Sequence, residues 1–130
     1  MDKLQLISRA IVAHNRKILL LKKIGADFWH YPGGKWEFEK ESLTECARRE
    51  VMEETDYNVL IGDLIWTQEI RKPGKVYVEF FWQAKLAPHN TQKINEMVKV
   101  DKTEEEMESI RWFTIKELKT IRVLPKILKY

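Results

Sequence analysis

Ser42-Leu43-Thr44-Glu45-Cys46-Ala47-Arg48-Arg49-Glu50-Val51-Met52-Glu53-Glu54-Thr55 is the stretch that decides the fold. Ser42 followed three residues later by Glu45 is a capping box, so a helix is expected to start there and to end near Thr55. At about 100° per residue, Leu43, Cys46, Ala47 and Val51 gather on one side, as an amphipathic helix requires. Glu50 and Glu54 project into that apolar stripe, and Glu53 lies at its margin. Their spacing of three and four residues makes the carboxylates neighbours on the helix surface. Two like charges about 4 Å apart repel by roughly 4 kcal/mol at an effective dielectric of about 20. Carboxylates held that way take up protons or meet cations, and hard divalent cations with oxygen ligands, Mg²⁺ above all, relieve the repulsion. A solvated acidic face fits poorly, because Thr44, Arg48 and Met52 occupy the outer side.

Upstream, Pro32-Gly33-Gly34 breaks the chain and lets backbone approach a ligand closely, with carbonyls for a metal or N–H groups for phosphate. Charge supports a site here. The segment from Glu41 to Tyr57 carries six acids against Arg48 and Arg49, and Asp101 to Glu108 carries five against Lys102. Each patch is −4 in a chain whose total is +3, which leaves +11 for the remainder. That basic remainder suits a phosphate ligand. The total alone is too small to imply nucleic acid, which is not expected as a partner.

The 130 residues are expected to form a single domain, 1–130. Hydrophobic residues at 44% and charged residues at 33% exclude a disordered chain. No apolar run reaches the length of a membrane span, and the first residues lack the layout of a secretory signal. One cysteine, Cys46, excludes an internal disulfide framework and a cysteine-built zinc site, and fits the cytoplasm. Leu4–Ala13 and Lys17–Lys23 read as a hairpin, with Val59–Ile70 and Val76–Leu86 as two further strands joined at Lys72-Pro73-Gly74-Lys75. In the last of these, Tyr77, Glu79, Phe81 and Gln83 share one face. Pro88 to Thr103 reads as a loop, Ser109–Phe113 as a short strand, and Thr114-Ile-Lys-Glu117 as a second capping box. The expected class is α+β.

At these residues the sequence resembles the Nudix (MutT-like) hydrolases. Their signature runs Gly, five residues, Glu, seven residues, Arg-Glu, an aliphatic, any residue, Glu-Glu, any residue, Gly, an aliphatic. Glu41 and Arg49 have the seven-residue interval, and Arg49-Glu50-Val51-Met52-Glu53-Glu54 matches without a gap. Two departures stand out: six residues separate Gly34 from Glu41, and Asp56-Tyr57 replaces the closing Gly-aliphatic pair. The first suggests a one-residue bulge in the loop; the second puts Asp where a left-handed helix end is favoured. Trp29-His30-Tyr31-Pro32-Gly33-Gly34 and Ile110-Arg111-Trp112-Phe113 with Glu117-Leu118 extend the resemblance to nearly the whole chain.

The resemblance implies an α/β/α sandwich with a mixed central β-sheet and the loop–helix of that family. It implies Mg²⁺-assisted hydrolysis, with Mn²⁺ as a substitute, of a nucleoside diphosphate linked to another group. By motif position, Glu53 and Glu54 would be metal ligands with the Gly33 carbonyl, and Glu50 a further ligand or the base that activates water. Arg49 would orient the carboxylates by pairing with Glu41. The base in this family also comes from a later loop, which makes Glu105, within Glu104-Glu105-Glu106 and near Glu108, a candidate; Glu96 and Glu79 are outer candidates. Arg9 is a candidate for meeting a phosphate, and Trp29, Tyr31, Trp66, Tyr77 and Phe81 for stacking a base. Glu79, set in an otherwise aromatic strand, joins the substrate-binding candidates.

Three functions follow. The first is a pyrophosphohydrolase of nucleoside or deoxynucleoside triphosphates, favoured by the short chain. The second is an ADP-sugar (ADP-ribose-type) pyrophosphatase, to which Pro73, sixteen residues after the box, points weakly because it also reads as a turn. The third is a non-catalytic nucleotide sensor or RNA-binding relative, against which the intact Glu50, Glu53 and Glu54 argue. The expected partner is a small nucleotide, without a membrane, to a monomer or homodimer.

Overall fold

The computed structural model describes residues 3–89 and 107–127. Six strands, β1 (Lys3–His14), β2 (Lys17–Lys23), β3 (Gly33–Lys35), β4 (Val59–Lys72), β5 (Lys75–Leu86) and β6 (Met107–Thr114), form one mixed sheet. Their order is β4-β5-β1-β2-β6, with β3 paired to β1. Helix α1 (Leu43–Thr55) and the single-turn α2 (Ile115–Leu118) are the helices among the described residues. The expected α+β class and mixed central sheet are what the chain forms.

β1 and β2 meet as a hairpin only at its turn, through Ala13↔Ile18 and His14↔Lys17. For most of its length β1 instead runs parallel to β5, in ten consecutive pairs from Lys3↔Lys75 to Val12↔Ala84. The reason lies in burial. β1 carries apolar side chains on both faces over Ala10, Ile11 and Val12, and such a strand is satisfied only in the middle of a sheet. β4 and β5 form the expected hairpin about Pro73-Gly74, with Gly74 at φ 75°, where a side chain would be strained.

The sheet separates two apolar layers. Val51 of α1 packs with Ala10, Val12, Leu19, Leu21, Val59 and Ala84 on one side. Ile11, Leu20, Tyr31, Phe81 and Phe113 form the other, covered by Leu118 of α2 and by Val123. The second helical layer is therefore thin, four residues plus the segment that follows it. On that side the sheet stays open below Phe81, where Arg9, Glu79, Tyr77 and Gln68 occupy one face in register.

Both capping boxes form. Ser42 accepts from the Glu45 N–H and Glu45 returns the bond, and Thr114 and Glu117 do the same. The start of α1 is tied down by Ser8, whose hydroxyl donates to the Leu43 carbonyl at 2.6 Å and accepts from Trp82 Nε1 at 2.9 Å. The helix ends at Asp56 in the left-handed region, φ 67°, with its N–H on the Met52 carbonyl. The additional loop residue is taken up in a turn, where the Lys40 N–H donates to the Glu37 carbonyl at 3.0 Å.

Candidate active site

The rigid start of α1 and the β3 backbone fix where the box side chains meet. Arg49 sits at the centre. Its Nε and Nη2 bind the two oxygens of Glu41 at 2.8 and 3.0 Å, a bidentate pair with Glu41 almost out of solvent. Its Nη1 donates to Glu50 at 2.9 Å and to Glu53 at 3.1 Å. Glu54 accepts the Gly33 N–H at 3.0 Å. Three carboxylates thus surround one guanidinium at the junction of β3 and α1, with Glu54 held beside them by Gly33. The hydrogen bonds from Arg49 and from the Glu37 N–H hold the Glu41 carboxyl down at about 2. Arg49 is pushed up in turn, mainly by Glu41.

The loop backbone closes over this cluster. A side-chain carbon on Gly34 would lie 2.5–2.7 Å from the Glu50 carboxylate, so glycine lets that carboxylate rest against β3. Gly33 has φ 156°, and a side chain there would strike the Ser8 carbonyl and Arg9 at 2.5 Å. Among the described residues no three His, Cys, Asp or Glu side chains already converge as a metal cage. The donor set nevertheless fits a hard divalent cation: the oxygens are carboxylate and carbonyl, and one Arg49 leaves negative charge in excess. Cys46 is not part of this chemistry. Its thiol packs under β3 against the Lys35 carbonyl at 3.4 Å, and burial pushes it up to about 12, with Glu41 adding to the effect.

Through Gly33 the cluster reaches a cavity of about 500 Å³ on the open sheet face. Arg9, opposite Gly33 in register, lines it with Lys23, Phe28, His30, Gln68 and Glu79. Ile70, Lys72 and Leu124 complete the walls that matter. Glu79 is 4% exposed and fully engaged: Arg9 Nε binds one oxygen and Gln68 Nε2 the other, each at 2.7 Å. Arg9 also donates to the Tyr31 carbonyl at 3.0 Å. With Glu79 balanced by Arg9, Lys23 and Lys72 leave the cavity positive. Burial, then Arg9 and Lys23, push His30 down to about 3, so it is neutral at physiological pH.

The residues anticipated from sequence fall into three groups. Glu41, Arg49, Glu50, Glu53, Glu54 and Gly33 come together, and Arg9 and Glu79 meet in the adjoining cavity. The aromatic candidates Tyr31, Phe81 and Trp29 serve packing instead. Tyr31 is 2% exposed and stands edge-on to Phe81, and Trp29 stands edge-on to Phe113 at 4.8 Å. The part Tyr31 plays beside the cavity is to accept Arg9 Nη1 on its carbonyl, while its ring fills the core. Glu96 and Glu105 lie outside the described residues, and Glu108 falls within β6. Gln68, Lys23, Lys72 and Phe28 were not anticipated. Gln68 had a signal: a two-residue turn at Pro73-Gly74 sets Gln68 opposite Glu79.

Loop, helix and carboxylate cluster beside a basic cavity define a class: hydrolases that cut phosphoric anhydrides. Residues 4–129 match the model of the NUDIX domain, so the chain belongs to the Nudix family, and it is a hydrolase of pyrophosphate bonds. A search among curated proteins finds no match. The fold is similar to the solution structure of the E. coli ORF135 protein, with TM-score 0.68 and 21% identity over 95% of this chain and 83% of that one. It is similar to a MutT Nudix hydrolase from Burkholderia pseudomallei, with TM-score 0.70 and 21% identity over 99% and 92%. An ADP-ribose pyrophosphatase from Streptococcus suis aligns with TM-score 0.66 and 18% identity over 96% and 83%. At these identities the likeness is one of fold.

Proposed function

We propose that the chain is a Mg²⁺-dependent nucleotide pyrophosphohydrolase acting on nucleoside or deoxynucleoside triphosphates, with Mn²⁺ as a substitute metal, in the cytoplasm. The observation that carries this reading is Gly33. Its N–H holds Glu54 of the carboxylate cluster, and its other side lies against Arg9 of the basic cavity. A phosphate chain lying over Gly33 would therefore meet the cluster at one end while its nucleoside occupies the cavity. The volume of about 500 Å³ is of the size that small-molecule sites have.

In this reading Glu53 and Glu54 hold the metal with the Gly33 carbonyl, and Glu50 is a further ligand or the base. When bound, Mg²⁺ supplies neutralisation of charge on the phosphates and activation of water. Arg49 keeps the Glu50 and Glu53 carboxylates oriented, itself held by the bidentate grip of Glu41. Lys23 and Lys72 attract the substrate, and the Arg9–Glu79–Gln68 network forms a charge-balanced polar wall beside it. Neutral His30 adds no charge. Glu105 is retained as a candidate base.

Pro73 sits in the β4–β5 turn and does not discriminate between the triphosphate and ADP-sugar readings. The deciding experiment is a nucleotide panel with Mg²⁺, resolving the phosphate products. Pyrophosphate from a triphosphate is expected. AMP with a sugar phosphate would replace this reading by an ADP-sugar pyrophosphatase. Tight nucleotide binding without turnover would make the chain a sensor.

A further inference from the structure

A second cavity, of about 400 Å³, opens on the same sheet face nearer the start of β1. Lys3, Leu4, Gln5, Lys35, Lys75 and Tyr77 line it, and no carboxylate is among them. The strand register makes this unusual. Lys3 stands opposite Lys75 across β1 and β5, and Lys75 stands opposite Lys72 across β5 and β4. Three adjacent strands thus place lysines in one row, with strand axes about 5 Å apart. Like charges directly opposite are destabilising. Among the described residues Lys3, Lys35, Lys72 and Lys75 make no ion pair that would offset this. The cation of Lys72 lies 5.7 Å from the centre of the Tyr77 ring and also lines the first cavity, so the basic surface is continuous between the two.

We propose that this second cavity is a phosphate-binding site, in which Lys3, Lys35 and Lys75 neutralise a phosphate oxyanion and Gln5 supplies a neutral hydrogen-bonding group. A phosphate dianion relieves the repulsion within the row and draws charge-assisted hydrogen bonds from the ammonium groups. The same chemistry comes from free inorganic phosphate or from a phosphate group of a substrate that extends past Lys72. Lys35 lies between Gly34 and Glu41, yet none of the residues read as metal ligands lines this site. Its binding test needs neither metal nor turnover, so its failure is distinguishable from a failure of the reading of the active site.

The test is a titration of the full chain with inorganic phosphate in metal-free buffer, followed by the amide NMR signals of Gln5 and Tyr77. Saturable shifts are expected, weakened at least about tenfold in Lys3→Gln/Lys75→Gln. Lys35→Gln is the second variant should the double one fold poorly. A KM for a nucleoside triphosphate that rises in these variants while kcat holds assigns the bound group to the substrate. Lost phosphate binding with unchanged KM assigns it to free phosphate. Shifts that do not saturate, or that are equal in wild type and variants, with KM also unchanged, overturn the proposal and leave the row as screened surface lysines.

Discussion

Arg49 and Arg9 each sit among carboxylate and amide groups, yet the two assemblies differ in their balance of charge. Around Arg49 stand Glu41, Glu50 and Glu53, with Glu54 held nearby by Gly33, so negative charge is in excess. Around Arg9 stands one buried Glu79, its second oxygen accepting from Gln68, so the pair is neutral and both carboxylate oxygens are hydrogen-bonded. The balanced assembly is complete as it is. The unbalanced one has a place for a cation, and its exposure follows that division: Glu41, which anchors Arg49, is 8% exposed, while Glu53 is 54% exposed. Burial and charge balance thus separate the groups that hold the two arginines in place from the groups proposed to bind the metal.

The largest effect is expected where charge is in excess. Glu53→Gln should lower turnover on the order of a hundredfold or more while the melting temperature stays close to wild type. Near-normal kcat in that variant would remove Glu53 from the set of ligands. In the balanced assembly the expectation reverses. Glu79→Gln leaves Arg9 facing a neutral amide, and should cost about 2 kcal/mol of stability in denaturant unfolding, with a raised KM. An unchanged unfolding midpoint would show that the pair is not structural.

Glu41 tests the boundary between the two kinds. Its carboxyl is held down at about 2 in the folded chain against an ordinary value of 4.5. A lowered folded value means that the stabilisation is fully present above about pH 4.5 and is lost as pH falls toward about 2. Glu41→Gln should therefore be less stable than wild type at pH 7, on the order of 2 kcal/mol, with the gap narrowing in that acid window. A gap that is constant with pH would contradict the Arg49 anchor. The smallest effect belongs to Gly34→Ala. The atoms nearest the added carbon are those of the Glu50 carboxylate at the end of its side chain, so the fold should persist while kcat falls roughly tenfold.

The unbalanced assembly was legible in the sequence because it is local. Capping at Ser42, the apolar stripe and the glutamates that interrupt it lie within one helix, and helical spacing turns order into geometry. The balanced one was only half legible. Arg9 and Glu79 were each noticed, but their contact joins strands seventy residues apart through parallel pairing that no turn encodes. The same non-local pairing drew β1 away from β2 beyond their shared turn. Aromatics misled for a different reason: Tyr31 and Phe81 look alike in a sequence whether they stack on a ligand or, as here, on each other. Gln68 followed from the hairpin turn and could be read once its register was counted.

The excess carboxylate around Arg49 is proposed to bind a divalent cation. Calorimetric titration of the wild-type chain with Mg²⁺, beside Glu53→Gln/Glu54→Gln, tests it without any substrate. Saturable binding is expected in wild type, and binding at least about tenfold weaker in the folded double variant. Equal affinity in the two proteins would contradict it.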